Sequence, residues 1–385
     1  MARGVRSVLV TLGLRDPAAR RLLLAGFTAF FVIGALQALY GPALPFLAVR
    51  LDVGLDVLGQ TVALHFAGSF VTIALAGPLL ARTGYRWPLA AGAAVLAAGA
   101  ATVAFASGVP TLLVGALLGG LGFGLVDVAM NLWVARAFAP NAAPALNLLN
   151  ATFGLGSVAG PAVLAAVGGD LRTPMLAVAV IGGVLLVLVP GLREPERGAT
   201  GPRGAVPWVA AAGFLALYVL YVTSEAGVGA WEATHLAPLV GERTAALHVS
   251  LYWGALTVGR LLATPLSARV RPGTLVTGAS ALAAVALAAA HVAPLAPYAY
   301  AVAGLAFAPI FPTGLAWLQT TFEERSEAVA SAALAAATLG PAVTSGAIGW
   351  SVERFGPGVV PTLLASVAAL LLATAATLRL RVGRG

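Results

Sequence analysis

Stretches of some twenty apolar residues recur along this chain, each ended by a short cluster of charge, glycine or proline and then resumed. A helix rises 1.5 Å per residue and needs roughly 20 mainly apolar residues to cross a bilayer core. The pattern therefore predicts twelve spanning helices, at about residues 22–48, 57–81, 87–107, 110–135, 145–168, 174–192, 208–234, 247–268, 273–293, 297–319, 329–351 and 358–379. The longest break between spans, REPERGATGPRGAVP at 193–207, is rich in Gly, Pro and charge and reads as a linker. It divides the chain into two six-helix halves, 1–192 and 208–385.

Composition agrees: 60% of the 385 residues are hydrophobic and 9% charged, with a mean hydropathy of +0.95, where soluble domains are about a quarter charged. The fold class is an all-α integral membrane protein. An arginine-bearing start followed by the apolar run 22–48 has the order of a signal peptide, but the run is too long for one and reads as an uncleaved first span.

The net charge of +8 would suit a nucleic-acid partner, yet all 22 basic residues are arginine and they sort by membrane side. With the N-terminus inside, seventeen fall on the cytoplasmic side. Only Arg50, Arg172, Arg243 and Arg354 fall outside, and Arg260 lies within a span. Positive-inside asymmetry predicts cytoplasmic termini, a multi-pass protein of the cell's inner membrane, and the lipid bilayer rather than nucleic acid as partner. The chain is expected to be a monomer. Zero cysteines exclude disulfides, thiolate metal sites and thiol catalysis.

The two halves echo each other. GPLLARTGYRWPL near residue 80 and TPLSARVRPGTLV near residue 267 align Pro78 with Pro265, Ala81 with Ala268 and Arg82 with Arg269 at an offset of 187. ATFGLGSVAG (151–160) and ATLGPAVTSG (337–346) align at 186. Repeated halves are a transporter signature.

Six spans plus six, a central linker, and a loop after span two carrying Gly77, Arg82, Gly84 and Arg86, with Arg269 in the matching loop after span eight, resemble the major facilitator superfamily. DVAMN (127–131), LNLLNATFGLGSVAGP (146–161), SEAGVGAW (224–231), YWGALTVGRLL (252–262) and APIFP (308–312) resemble its fucose-permease-like sugar porters. The resemblance implies alternating access and a sugar-like solute moved with a proton. The chain departs from it twice. The family's loop carries an aspartate where this one has Ala81, which implies a weakened or rearranged charge relay, and span one has no acid, only Gln37 and Tyr40.

Asp127, Glu225 and Arg260 are the ionisable residues placed deep within spans, where charge costs at least about 2.5–3.5 kcal/mol and normally marks a cavity or a partner. Asp127 and Asn131, four apart, share a helical face. Asp127 is either the proton site or a structural hydrogen-bond hub. Glycines 119, 120, 122 and 124 admit a neighbouring helix closely. Glu225 with Tyr221 and Tyr218 gives span seven a face suited to sugar hydroxyls and C–H surfaces, or else serves as a gate near the outer mouth. Arg260 sits at nearly the depth of Asp127. It either bridges the halves to that acid, as a proton-coupling partner, or snorkels toward the cytoplasm. Glu225 is expected to lie too near the outer face to meet it.

The substrate site is expected between the halves, lined by Gln37, Tyr40, Asn131, Asn150, Tyr221, Glu225 and Phe311. Asn147 is expected to be a packing residue, His65 a packing residue or else a proton carrier, and the prolines of FAPIFP to bend span ten. Gly-Pro at 160–161 and 340–341 offers flexible points in spans five and eleven. No lysine exists to build a GxxxxGK[ST] loop, no Cys/His cluster has metal-ligand spacing and no GxSxG elbow occurs, so neither a cofactor nor an enzyme activity is expected. An exporter of amphipathic compounds is the alternative transporter, and a non-transporting sensor the remaining class.

Overall fold

The computed structural model describes residues 16–139, 142–194, 208–267 and 269–382. Most of the expected linker, 195–207, and Ala268 lie outside the described residues. Regular structure among the described residues is helical throughout. The helices are α1 (Pro17–Leu51), α2 (Leu55–Thr83), α3 (Arg86–Ala104), α4 (Val109–Ala137), α5 (Ala143–Ala166), α6 (Arg172–Leu188), α7 (Trp208–Val240), α8 (Glu242–Ser267), α9 (Pro272–Ala289), α10 (Ala296–Phe307), α11 (Ile310–Phe322), α12 (Ser326–Ala337), α13 (Leu339–Phe355) and α14 (Val359–Val382).

Helices α10 with α11 form one crossing, and α12 with α13 another. Among the described residues eleven crossings are long and apolar enough to span a bilayer; α8 completes the twelve, its mean hydropathy lowered by Glu242, Arg243, His248 and Arg260. The expected bend in span ten falls at Ala308–Pro309, because Pro309 and Pro312 have no N–H to return to the carbonyls of Leu305 and Ala308. In span eleven the helix is interrupted at Thr338, just before Gly340–Pro341, whereas α5 runs unbroken through Pro161. Span seven corrects the sequence reading: α7 continues six residues past the expected end at 234, since Glu232, Thr234 and His235 are buried among neighbouring helices and Pro238 falls in the last turn, where it removes a single helical bond.

Within the first half α1 packs on α5, α2 on α4 and α3 on both α4 and α6; within the second, α9 packs on α14 and α8 on α10. Methyl groups at Gly120, Gly122 and Gly124 would strike His65, Leu96 and Thr72, so the glycine run is what brings α4 against α2 and α3. The halves meet through α1 with α7, α2 with α13 and α5 with α8.

Several of these contacts gather at the end of the bundle remote from residues 17 and 382, called here the far end; the opposite end is the terminal end. Gly41 of α1 lies against Gly229 and Ala230 of α7, where a Cβ would strike the Gly229 carbonyl. Trp231 packs on Gly59 and Gly349, the Leu55 N–H donates to Glu353 Oε2 at 2.9 Å, and Ser250 Oγ donates to the Val158 carbonyl at 2.9 Å. The far end is therefore closed.

Replacing Gly41 by valine should pry it apart. Overpacking of this kind costs about 1–3 kcal/mol, which lowers the closed population relative to open states by roughly 5- to 150-fold. Ser345, now 2% exposed beneath Gly59, would report this as a single cysteine in a chain that has none. Its labelling should rise in the Gly41→Val background; unchanged labelling would show that the crossing does not hold the closure.

Candidate functional site

Tyr218, Tyr221 and Glu225 recur at i, i+3 and i+7 along α7 and so share one face. Tyr218 meets the break between α10 and α11: its hydroxyl donates to the Phe311 carbonyl at 3.0 Å and its ring stands edge-on to Phe311 with centroids 5.5 Å apart. Tyr221 packs on Phe307 and Phe311 at 6.1 and 6.2 Å. These contacts hold the bent crossing against α7 and leave the Phe311 ring half-buried.

Glu225 lies mid-helix, seventeen residues from Trp208 and fifteen from Val240. The Tyr252 hydroxyl donates to its backbone carbonyl at 2.8 Å, and its carboxylate Oε1 accepts from Arg260 Nη2 at 3.3 Å. Tyr221 lies within interaction range of both charges. The pair keeps 24% (Arg260) and 13% (Glu225) side-chain exposure although both residues sit deep in the molecule, so it faces open space rather than packed protein.

This corrects the expectation for Arg260. It pairs with Glu225 in its own half, not with Asp127, and the supposed mismatch of depth vanishes because α7 extends to Val240 and so centres Glu225 in the crossing. Asp127 instead accepts from Asn131 Nδ2 at 2.9 Å, one turn along α4, with both side chains half-buried.

Gln37 is one turn before Gly41 on α1, and Glu225 is one turn before Gly229 on α7. The two helices run in the same direction and cross at those glycines, so Gln37 and Glu225 stand at one level just to the terminal side of the closure. On α5, Asn150 stands nearer the terminal end than Gln37, since Phe153 lies against Gly34; it is one turn before Gly154, whose Cβ would strike Thr257 of α8, and three residues from Phe153, whose ring meets Trp253. Its side chain is exposed and donates to the Leu146 carbonyl at 2.9 Å; Asn147 is also exposed.

Tyr40 is a second correction. It is 2% exposed and packs inside the first half, its ring 5.0 Å from His65 and its hydroxyl against Gly119, because the missing side chain at 119 leaves room for a phenol there. His65 is fully buried in the same place, among Phe66 and Phe123.

The expected loop residues Gly77 and Arg82 are still helical, exposed near the end of α2; Gly84 ends the helix at φ 77°, and Arg269 is exposed in the corresponding turn after α8. A carboxylate does reach this loop, from Glu194, though it meets the backbone rather than an arginine side chain. Glu194 Oε1 accepts the Arg86 N–H at 2.7 Å, the Arg86 guanidinium bonds the Leu192 carbonyl, and Trp133 Nε1 donates to the Arg193 carbonyl at 3.4 Å. The start of the linker is thereby tied to the α2–α3 loop.

Sequence reasoning missed Glu232, which is fully buried in α7. The available signal was its position seven residues after Glu225, on the same stripe; ending the span at 234 made it look terminal. Among the described residues no group of His, Cys, Asp and Glu is placed to hold a metal ion.

Twelve crossings in two six-helix sets, closed at one end around a central ion pair, define the architecture of a membrane carrier. The sequence profile of the Major Facilitator Superfamily matches residues 26–224, and the chain belongs to that superfamily of transporters. An uncharacterised MFS-type transporter of Yersinia pestis is 27% identical over 245 residues, a match spanning 60% of this chain and 62% of the relative. Among solved structures, a D-xylose-proton symporter superposes with a TM-score of 0.77 at 15% identity, covering 93% of this chain and 97% of that one. The nucleoside transporter NupG gives 0.74 at 12%, covering 94% and 99%. A partially occluded inward-open form of the xylose transporter XylE from E. coli gives 0.76 at 14%, covering 93% and 97%. At these identities the likeness is one of fold.

Proposed function

We propose that the protein is a secondary transporter that moves a sugar or similar small polar solute across the cell's inner membrane by alternating access of two halves, 1–192 and 208–385, with a proton as the coupling ion. The observation that carries this reading is the Glu225–Arg260 pair, deep in the bundle yet facing open space beside Tyr221 and Phe311. A hydroxyl-rich solute needs a few fixed donors and acceptors and an apolar wall for its C–H surface, and the pair and the rings supply both. Gln37, Asn131 and Asn150 are the polar groups the first half contributes. The arginine asymmetry makes the terminal end cytoplasmic, so the closed far end corresponds to an inward-facing state. Solved structures of the same fold include a xylose–proton symporter and a nucleoside transporter, which sets the panel of solutes to try.

Proteoliposomes given labelled pentoses, hexoses and nucleosides test the reading. One of these classes should accumulate under an inward proton gradient and only equilibrate without it. Uptake of none, together with extrusion of amphipathic dyes, would replace it by an exporter.

A further inference from the structure

Glu232 has no role in the solute site, yet its surroundings are unusual. The residue is fully buried and neither carboxyl oxygen has a hydrogen-bond partner. Its helix neighbours Gly229, Ala230 and Trp231 form the second half's wall of the far-end closure. Seven residues, about 10 Å at 1.5 Å per residue, separate it from Glu225, where Arg260 is already engaged.

The titratable groups facing Glu232 can be named element by element. On α8, Tyr252 lies within electrostatic reach, but its hydroxyl is committed to the Glu225 carbonyl. On α10, Tyr300 does likewise, with its hydroxyl 2.9 Å from His235 Nδ1, one turn along α7 from Glu232. His235 is in turn within electrostatic reach of His291, which is exposed at the far end. Helix α11 has no titratable residue, and the titratable positions of α12 and α14 are near the terminal end. On α1, Tyr40 packs on His65 and Arg50 is exposed in the last turn; on α13, Glu353 is bonded to Leu55 N and Arg354 is exposed.

An ionised carboxylate so enclosed, with neither hydrogen bond nor cation, is far costlier than a neutral acid, and such groups neutralise instead. Ionisation requires water, and the wall beside Glu232 is the part of the molecule that must part to admit it. We infer that Glu232 is a proton-binding site, in the half opposite Asp127, whose neutral acid goes with the closed far end and whose carboxylate goes with the open one. The proton comes from water at the far end and returns there, with His291, His235 and Tyr300 lying between. By linkage, protons bound only in the closed state favour that state, so acid closes the far end and alkali opens it. The inference rests on the alternating-access reading, but not on the solute or the coupling ion.

Cysteine placed at Ser345 reports it in purified protein without solute or gradient. Labelling by a membrane-impermeant maleimide is expressed relative to unfolded protein at the same pH, which removes the thiol's own titration. In the Ser345→Cys background it should rise on the order of tenfold from about pH 5 to about pH 9, the size of shift such linkage readily produces. Glu232→Gln, which mimics the neutral acid in shape and charge, should hold labelling low and flat, while Glu232→Asp keeps the rise. A rise unchanged in a monodisperse Glu232→Gln protein would overturn the inference. So would a rise that is absent from the Ser345→Cys parent. Failure to transport any sugar would leave these outcomes intact and would count only against the solute reading.

Discussion

Proteoliposomes carrying Asp127→Asn are expected to exchange solute between pools as the parent does, while losing accumulation driven by a pH gradient. The substitution keeps the shape of the side chain, and the new amide oxygen still accepts from Asn131 Nδ2, now at 2.9 Å from the carboxylate, so the α4 surface is preserved. What is removed is the capacity to bind and release a proton. A carrier moving one proton per solute can concentrate that solute about tenfold per pH unit, since one unit is worth 1.36 kcal/mol. Accumulation in the variant should fall to roughly the equilibrative level, about tenfold lower at one unit of gradient. A structural hub predicts parental coupling, or a protein too unstable to reconstitute. Gradient-driven accumulation by a well-folded Asn variant would remove Asp127 from the proton path.

Glu225→Gln should weaken solute binding by about ten- to a hundredfold, the equivalent of the 1.5–3 kcal/mol typical of a hydrogen bond to a charged group. The glutamine oxygen can still accept from Arg260, whose partly exposed guanidinium keeps an acceptor but loses its counter-charge, so a small loss of stability is expected. Arg260→Met differs. It strands the Glu225 carboxylate; breaking a fully buried pair from one side costs about 3–5 kcal/mol and this one, which keeps 24% and 13% exposure, somewhat less, so stability and binding should fall together. Combining the two substitutions should recover stability, because no charge is left unpaired, but not binding. Binding at the parental level in the double variant would mean that the pair only braces α7 against α8 and that the solute is held elsewhere.

The span count and the bend at FAPIFP were legible because each depends on a local run of residues. Proline cannot complete a helical hydrogen bond whatever surrounds it, and about twenty apolar residues need a bilayer wherever they occur in the chain. The ends of spans were less legible. WEATHLAP reads as an exit from the membrane by composition, yet α7 carries it as helix with Glu232 and His235 buried, since their neighbours here are other helices rather than lipid or water.

The candidate site divides in the same way. Asp127, Glu225 and Arg260 stood out in the sequence because charge is rare in such a chain, and DVAMN placed Asp127 and Asn131 on one face because four residues make about one turn. Tyr40 was misjudged because it shares its spacing with Gln37, three residues away, but turns toward His65 and Gly119 instead of the space between the halves. The carboxylate serving the α2–α3 loop comes from Glu194, 108 residues beyond Arg86.

The sequence by itself determined the membrane class, the crossings and the short roster of intramembrane charges. Only the tertiary structure decided that Arg260 takes Glu225 rather than Asp127, that Glu232 is sealed in, and that the far end is closed. In a soluble helix one apolar stripe announces the buried face. Here the lipid-facing and protein-facing sides are both apolar, so the pattern of hydrophobic residues leaves the rotation of each helix about its axis open. That rotation is settled where glycines let backbones touch, at Gly41 with Gly229 and along Gly120 to Gly124, and it decides which polar side chains meet.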